Sequence, residues 1–208
     1  MTREGLPVID LVLTTRELLR MIKLSGLELD QLEPEIPDEP FYSLGSAGKL
    51  PGVSGGELEA TVRTLYAMAA GTEMPPSKLH RFRVQRSFRE MTVKAGLSEI
   101  RIGAVSGLAN AHAVIKELKA GKKKLDILEV MACPEGCVNG GGQPIPVDEK
   151  LLRARSKAIY EMDNGSELHS AHLNQQVQEI YKEYLGEPGG EKSRELLYTT
   201  FTKREVLL

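Results

Sequence analysis

The fold of this chain is decided by residues 100–131, which read IRIGAVSGLANAHAVIKELKAGKKKLDILEVM. The apolar runs at 100–105 and 125–131 are typical of buried strands, and the segment between them, 108–120, has a helical pattern that ends at Gly121. Because a strand–helix–strand crossover of this length joins parallel strands, we predict a βαβ unit within a partly parallel sheet.

The second strand of this unit leads directly into residues 129–144, EVMACPEGCVNGGGQP, which hold both cysteines of the chain. Cys133 follows the strand at once, and the ligand sites of open α/β sheets lie beyond the carboxyl ends of their strands. Cys137 is followed closely by residues 140–142, all of them glycine. Glycines let the backbone approach a large inorganic ligand and donate N–H groups to cluster sulfurs.

Two other interpretations of the cysteines are open: a pair of ordinary buried thiols, and a redox-active pair. Pro134 and the glycines favour an iron–sulfur cluster over both. A cubane cluster normally takes four cysteine ligands, whereas this chain contains two cysteines. We therefore expect the chain to supply half of a ligand set, with the other half coming from elsewhere.

Composition excludes several classes of function. The 208 residues carry a net charge of −2, so neither nucleic acid nor an anionic membrane surface is an expected partner. No apolar run approaches the roughly 18 residues of a membrane-spanning helix, and the first residues lack the apolar segment of a signal peptide. We expect a cytoplasmic protein without membrane insertion, whose thiols stay reduced and available to metal.

The residues before the βαβ unit combine strand, helix and loop patterns. Residues 9–13 have the composition of a short buried strand. Thr14 and Glu17 have the spacing of a capping box, which predicts a helix over 15–24. Residues 30–52 are rich in proline, glycine and acids and are predicted to form a long loop.

A second capping box, Ser54 to Glu57, predicts a helix that ends near Ala70, and residues 81–93 are predicted to form a strand. The start of this helix, at Ser54 and Gly55, allows two interpretations. One is an anion or cluster site at the helix N-terminus, and the other is plain capping. The spacing alone favours capping.

Beyond Pro146 the pattern becomes helical and amphipathic. His169 and His172 would suit a metal site on one helix face, but without a neighbouring carboxylate or cysteine a solvated helix start is favoured. Overall we predict an α/β fold, a partly parallel sheet with flanking helices over residues 1–146, followed by a helical C-terminal extension over 147–208. The helices predicted in the extension span 148–162, 174–185 and 191–198.

The cysteine segment closely resembles the last cluster-binding signature of iron-only (FeFe) hydrogenases, M-A-C-P-G-G-C followed by G-G-Q-P. Three more segments resemble signatures of this family: residues 10–18 resemble D-x-V-L-T-T-R-E-L, 52–60 resemble G-x-T-G-G-V-M-E-A, and 105–111 resemble A-S-G-L-x-N-A. Residues 180–186 and 198–204 are similar to the small-subunit region that wraps the catalytic domain. The resemblance therefore covers nearly the whole chain.

The active site of that family is a 4Fe–4S cubane, bridged by a cysteine thiolate to a diiron unit with CO and CN ligands; together they form the H-cluster. The resemblance implies that Cys133 ligates the cubane and that Cys137 ligates it and bridges to the diiron unit. It also implies that Met131 places its thioether against the diiron unit. The residues expected to contact the cofactor are Cys133, Cys137, Gly140, Gly141, Gly142, Ser54 and Gly55.

Two earlier signatures of the family, T-S-C-C-P and M-P-C-x-x-K, do not occur in this chain. They supply the other two cubane cysteines, the proton-donating cysteine and a lysine that holds a cyanide. Glu135 stands where the family usually has a glycine, and its charge should lower the potential of the cluster. Pro51 stands where the family usually has a phenylalanine that lines the diiron pocket.

The resemblance implies the C-terminal half of an FeFe-hydrogenase catalytic domain, as a subunit of a split enzyme or as a shortened form, inactive alone. With an N-terminal half or another hydrogenase subunit, it would interconvert protons, electrons and hydrogen and exchange electrons with a ferredoxin-like carrier. Three alternatives stay open: a non-catalytic assembly or sensory subunit, a homodimer that shares one cubane, and a metal-free half-domain. A lone half should expose an apolar face near residues 131–143.

Overall fold

The computed structural model describes residues 2–3, 6–7, 9–35, 45–84, 86–145 and 147–199, with the backbone alone for residues 2, 3, 6, 7 and 76. The strands are β1 (Thr2–Arg3), β2 (Leu6–Pro7), β3 (Phe88–Ala95), β4 (Ser98–Ser106) and β5 (Ile127–Met131). The helices are α1 (Thr15–Leu24), α2 (Gly56–Ala70), α3 (Leu108–Lys119), α4 (Glu149–Asn164), α5 (Gln175–Ile180) and α6 (Glu191–Leu197). Short 3₁₀ helices span Leu29–Gln31, Ser46–Gly48, Leu50–Gly52, Pro76–Arg83, Cys137–Asn139 and Ala171–Leu173. None of the helices described here is both long and apolar enough to cross a membrane.

The larger sheet has the strand order β3–β4–β5. β3 and β4 form an antiparallel hairpin, while β4 and β5 are parallel and are joined by α3. The parallel register pairs Ile102 with Ile127 and Ser106 with Met131. The predicted βαβ unit is therefore confirmed, and so is the predicted fold class, an α/β fold with a partly parallel sheet. A separate pair of antiparallel strands, β1 and β2, lies near the start of the chain.

The two faces of the sheet pack against different helices. On one face, Ile102 and Ala104 of β4 join a core cluster with Leu58 and Val62 of α2. On the other, Val105 belongs to a smaller cluster with two residues of α3, Ala111 and Val114. Successive side chains of a strand point to opposite faces, which is why both helices find an apolar surface on β4.

The predicted buried strand at residues 9–13 is wrong. This segment has no strand structure, and Ile9, Leu11 and Val12 are 66%, 67% and 80% exposed. An apolar run becomes a strand only where a neighbouring strand accepts its backbone hydrogen bonds, and among the described residues no strand pairs with this segment. The helix that follows is confirmed at its predicted bounds, with the capping box of Thr14 and Glu17 in place.

Two further predictions before β4 need correction. The second capping box does not form, because α2 begins at Gly56 and its N-cap, Gly55, has no capping side chain of its own. The strand predicted over 81–93 begins only at Phe88, since residues up to Arg83 belong to a 3₁₀ helix. The predicted loop at 30–52 contains short 3₁₀ helices, and its residues 36–44 lie outside the described part of the chain.

The C-terminal extension is helical, as predicted, over the described residues of α4, α5 and α6, and α5 passes into a π-helical turn at Tyr181–Leu185. A set of buried charged and polar side chains, which we call the buried ion network, joins α4 to the rest of the fold. Its members are Ser46, Glu59, Arg63, Arg83 and Asp163. The boundary at 146/147 between two domains stays a prediction.

Candidate functional site

The two cysteines lie on a loop that follows β5, residues 132–144, which we call the cysteine loop. Cys133 is half-buried and Cys137, at the start of a 3₁₀ helix, is exposed. Both thiols are free. Because β5 runs parallel to β4, the cysteine loop leaves the carboxyl edge of the parallel pair, where the sequence places it.

The cysteine loop is docked against the start of α2. The backbone N–H of Ser54 donates to the carbonyl oxygen of Glu135 at 3.0 Å. Gly136 has a φ of 94°, and a Cβ atom there would lie 2.6 Å from the Ser54 nitrogen and 2.9 Å from the Met131 sulfur. Only glycine fits that position. The structure therefore brings Ser54 and Met131 together at one point of the loop between the cysteines.

The N-terminus of α2 is capped by Glu129 of β5. Its carboxylate accepts hydrogen bonds from the backbone N–H groups of Gly55 and, at 2.8 Å, of Leu58. These N–H groups are the ones that an anion at this helix N-terminus would use. The helix start is therefore capped, but by a carboxylate from β5 rather than by the predicted capping box. A cofactor contact of Ser54 and Gly55 stays a prediction. The sequence gives one indication of this capping role: Glu129 is a single acidic residue within an otherwise apolar strand.

The glycine-rich part of the cysteine loop is held by two arginines from different helices, one before and one after the loop in the sequence. Arg16 of α1 donates to the carbonyl oxygens of Gly141 at 2.7 Å and Gln143 at 2.8 Å, and its own N–H donates to Gly142. Arg155 of α4 donates to Val138 and Pro144, both at 2.9 Å. These contacts fix the shape of the loop through protein groups alone. Sequence reasoning missed Arg155, for which the sequence carries no signal, and the clamping role of Arg16.

Glu135 occupies a strained position between the cysteines. Its φ of 65° is the only positive value among the described non-glycine residues. Its Oε2 atom is buried without a hydrogen-bond partner among the described residues. The iron-only hydrogenase signature usually has a glycine at this position. A glycine would avoid both the backbone strain and the burial of a carboxylate, because it adopts a positive φ freely and carries no side chain.

We expect Glu135→Gly to be more stable than Glu135→Ala by about 1 kcal/mol. Both variants remove the carboxylate, but only the glycine relieves the backbone strain. Chemical denaturation of the two purified variants measures the difference directly. Equal midpoints, or a more stable alanine variant, would show that the left-handed conformation carries no cost here.

The donor groups at this site suit iron and sulfide better than a hard cation. Two thiols and the Met131 thioether are soft ligands, and thiolates are the usual ligands of iron–sulfur clusters. Among the residues the structure describes, no group of three or more histidine, cysteine or acidic side chains is placed to hold a metal ion. The loop therefore fits half of a cubane ligand set. It does not fit a complete one.

The two histidines do not form a metal site. His169 lies 3.6 Å from Asp163, whereas His172 contacts Glu73 at 2.7 Å and the hydroxyl of Thr64 at 3.0 Å. His172 ties the C-terminal extension to the α/β part of the chain through Glu73 and Thr64, whereas the contact of His169 with Asp163 lies within the extension. Neither histidine lies at the simple solvated helix start that was predicted.

A large exposed apolar surface lies on the side of the loop that Arg16 contacts. α1 has no buried residue, and its Leu18 and Met21 are each about half exposed. Val130 and Ile145, at the two ends of the cysteine loop, are exposed as well. Within residues 131–143 Met131 is half-buried and Val138 is buried, so the exposed apolar side chains flank this range rather than lie in it. The expected apolar face near residues 131–143 stays a prediction, and the segment from Ile9 to Leu32 carries further exposed apolar side chains. Other exposed apolar residues of this surface are Leu11, Val12, Leu24, Leu27 and Leu29.

Comparisons with known proteins agree with this geometry. Residues 1–141 match the family "Iron only hydrogenase large subunit, C-terminal domain", and residues 149–204 match the family "Iron hydrogenase small subunit". The NADP-reducing hydrogenase subunit HndD of Solidesulfovibrio fructosivorans is 37% identical over 204 residues, which are 98% of this chain and 35% of that protein. The cytosolic Fe-S cluster assembly factor narfl of Danio rerio is 30% identical over 200 residues, 93% of this chain and 48% of that protein.

A solved structure is similar over most of the chain. A variant of the FeFe-hydrogenase HydA1 from Chlamydomonas reinhardtii matches with a TM-score of 0.69 at 32% sequence identity, covering 86% of this chain and 52% of that chain. This chain thus spans between 35% and 52% of the lengths of the relatives compared.

Proposed function

The chain belongs to the iron-only hydrogenase large-subunit family, and we propose that it forms the C-terminal part of an FeFe-hydrogenase catalytic domain that needs a partner half for activity. The observation that carries the proposal is the cysteine loop. It carries Cys133 and Cys137, follows Met131 at the end of β5, and lies beside the capped start of α2 in a conformation that Arg16 and Arg155 hold.

Within this proposal the residues of the site have distinct roles. Cys133 and Cys137 would hold the cubane through their thiolates, and Cys137 would also hold the diiron subsite. The Met131 thioether would pack against the diiron subsite. The backbone of residues 140–142, together with Ser54 and Gly55, packs against the cofactor. The bound H-cluster supplies the redox chemistry that interconverts protons and electrons with hydrogen.

The partner half supplies what this chain lacks. With two cysteines these 208 residues provide two of the four cubane ligands, so a partner half completes the set. The exposed apolar surface on α1 and residues 9–13 is the face that this partner covers, since Arg16 joins it to the cysteine loop. A ferredoxin-like protein then exchanges electrons with the assembled enzyme in the cytoplasm, where the thiols stay reduced.

We expect the chain alone to self-associate through this apolar surface. Leu18→Glu combined with Met21→Glu should shift the chain towards monomer, because charged side chains oppose burial of the apolar face. Sedimentation velocity on the purified protein measures the distribution. Leu97→Glu is the matched control, since Leu97 is fully exposed on the turn between β3 and β4 and should leave association unchanged. A monomeric parent chain, or an equal shift with the control, would contradict this expectation.

A second candidate function is a non-catalytic iron–sulfur or assembly subunit. Two observations favour it: the similarity to the assembly factor narfl, and the glutamate at position 135 between the cysteines. A subunit of this kind would bind the cubane through the same two cysteines but would bind no diiron subsite. A homodimer with one shared cubane is a further arrangement, which the iron content per chain and the mass of the assembly identify.

One experiment separates these functions. The chain is produced together with a polypeptide that carries the two missing signatures and with the maturation machinery, and hydrogen evolution is then assayed. We expect activity together with infrared bands from CO and CN in the complex, and neither in the chain alone. Hydrogen evolution without a partner overturns the need for a second half. A complex that holds a cubane but lacks the infrared bands supports the non-catalytic function.

A further inference from the structure

A cavity of about 690 Å³ opens beside β3, the edge strand of the larger sheet, next to the 3₁₀ helix Pro76–Arg83. It shares no lining residue with the cysteine loop. Its volume lies within the range of small-molecule sites, roughly 300–1,000 Å³. The residues that decide its chemistry are Arg81, Arg86, Arg89, Lys123, Phe82 and Phe88.

The lining is strongly cationic, although the chain as a whole has a net charge of −2. Four lining residues are arginine or lysine, and the single carboxylate among them, Glu90, lies 3.2 Å from Lys123. Arg81 and Arg86 are exposed, and no hydrogen bond or ion pair joins either side chain to another of the described residues. The cavity therefore has cationic donors to offer an anion.

One of the cations that line the cavity, Arg89, is buried. Arg89 is 6% exposed and is held in place by hydrogen bonds to the carbonyl oxygens of Ser54 and Val84, with its guanidinium over the ring of Phe82. Burial lowers the pKa of Arg89. A buried, positioned guanidinium contributes a positive potential that exposed side chains of a flat surface do not, because water screens it less.

The cavity also has an aromatic wall. Phe88 is half-buried, and the Lys123 ammonium lies 4.9 Å from the centre of its ring. A ligand with both phosphate groups and a ring would meet guanidinium groups and an aromatic side chain within the same cavity. Guanidinium groups bind phosphate oxygens through paired charged hydrogen bonds, which makes arginines the preferred partners of phosphates.

We propose that this cavity binds a small molecule that carries a polyphosphate group, with Arg81 and Arg86 as its principal phosphate contacts. We favour a small ligand over an acidic protein as the occupant. A small ligand can enter a concave site and reach the buried Arg89, whereas the surface of a protein would contact the rim alone. The principal contacts, Arg81 and Arg86, are not among the residues proposed to contact the H-cluster, so the proposal does not rest on the hydrogenase function.

Calorimetric titration of the purified chain tests the proposal with two probes, inorganic pyrophosphate and ATP, at one fixed ionic strength. We expect saturable binding of one ligand per chain. Arg81→Gln combined with Arg86→Gln should weaken it at least about tenfold, because two charged contacts are lost. Tighter binding of ATP than of pyrophosphate would show that the aromatic wall is used. Equal binding would show recognition of the phosphates alone.

The matched control is Arg153→Gln combined with Lys157→Gln, which removes the same charge from exposed positions of α4. The control should bind both probes as the parent chain does. The absence of saturable binding of either probe overturns the proposal. An equal loss in the control overturns it too, since binding would then follow net charge rather than the cavity. Circular dichroism shows that both double variants are folded.

Discussion

Replacing Asp163 with alanine should lower the free energy of unfolding by about 3–5 kcal/mol, the usual cost of removing one partner from a buried ion pair. Asp163 is 1% exposed and accepts hydrogen bonds from Arg63 at 2.7 and 2.8 Å and from Arg83 at 2.8 Å. Without it, two largely buried guanidinium groups retain Glu59 as their shared carboxylate. Because Asp163 belongs to α4, we expect the contact between the C-terminal extension and the α/β part to loosen with it.

Chemical denaturation of the purified chain measures this effect. The control is Asp126→Ala, because Asp126 also forms a two-point pair with an arginine, Arg101, but on the exposed surface. Exposed pairs contribute little, so the control midpoint should stay close to that of the parent. A loss with Asp163→Ala no larger than with Asp126→Ala would show that the buried ion network does not stabilise the fold.

The same network predicts acid sensitivity. Although burial alone would raise it, the pKa of Asp163 is lowered by hydrogen bonds from Arg63 and Ser46 and by the charges of the arginines. A carboxyl whose pKa is lower in the folded state contributes stability above its unfolded pKa, about 3.9, and that stability is lost as the pH falls below it. Asp163→Asn should therefore be less stable than the parent chain at neutral pH, but its free energy of unfolding should fall less than that of the parent on acidification. Unfolding curves from pH 7 down to about pH 3 check the slope.

The sequence could predict those parts of the fold that depend on local patterns. The βαβ unit follows from hydrophobic runs whose partners lie nearby in the chain, and the Thr14 capping box involves residues three positions apart. Local patterns did not predict the structure of residues 9–13, which form no strand. Their apolar composition is equally consistent with a surface that another polypeptide covers, and no local rule separates the two.

The sequence could single out candidate ligands but not the residues that hold the cysteine loop in place. The cysteines and glycines stand out because their residue types suit the chemistry of a cluster, and their role as ligands stays a prediction. Glu129, Arg16 and Arg155 could not be assigned their roles, because each acts on a backbone group more than ten positions away in the chain. The Ser54 capping box failed for the same reason, since a carboxylate from a neighbouring strand satisfies the helix end better than the local hydroxyl does.

Replacing Cys137 with serine should abolish both cluster assembly and hydrogen turnover in the complex with the partner half, the largest functional effect that we expect. In the proposed function Cys137 is the one residue that contacts both the cubane and the diiron subsite. A serine hydroxyl stays protonated at neutral pH and is a poor ligand of iron, whereas the cysteine of a cluster binds as a thiolate. Cys133→Ser should reduce the cubane iron as well, because it removes a ligand from the same loop.

The measurements are iron and sulfide per complex, the visible absorption of the cluster, and hydrogen evolution. Met131→Leu keeps both thiolates, so it should retain the iron while changing the infrared bands of the diiron subsite. Met68→Leu is its control, because Met68 is exposed on α2 and should change neither. Full iron content and turnover in the Cys137→Ser complex would show that the cluster is held elsewhere, and would remove the basis of the proposed function. A different result would favour the non-catalytic subunit: the parent complex shows no CO and CN bands, and both cysteine variants lose the cubane iron. The cubane would then be the whole cofactor.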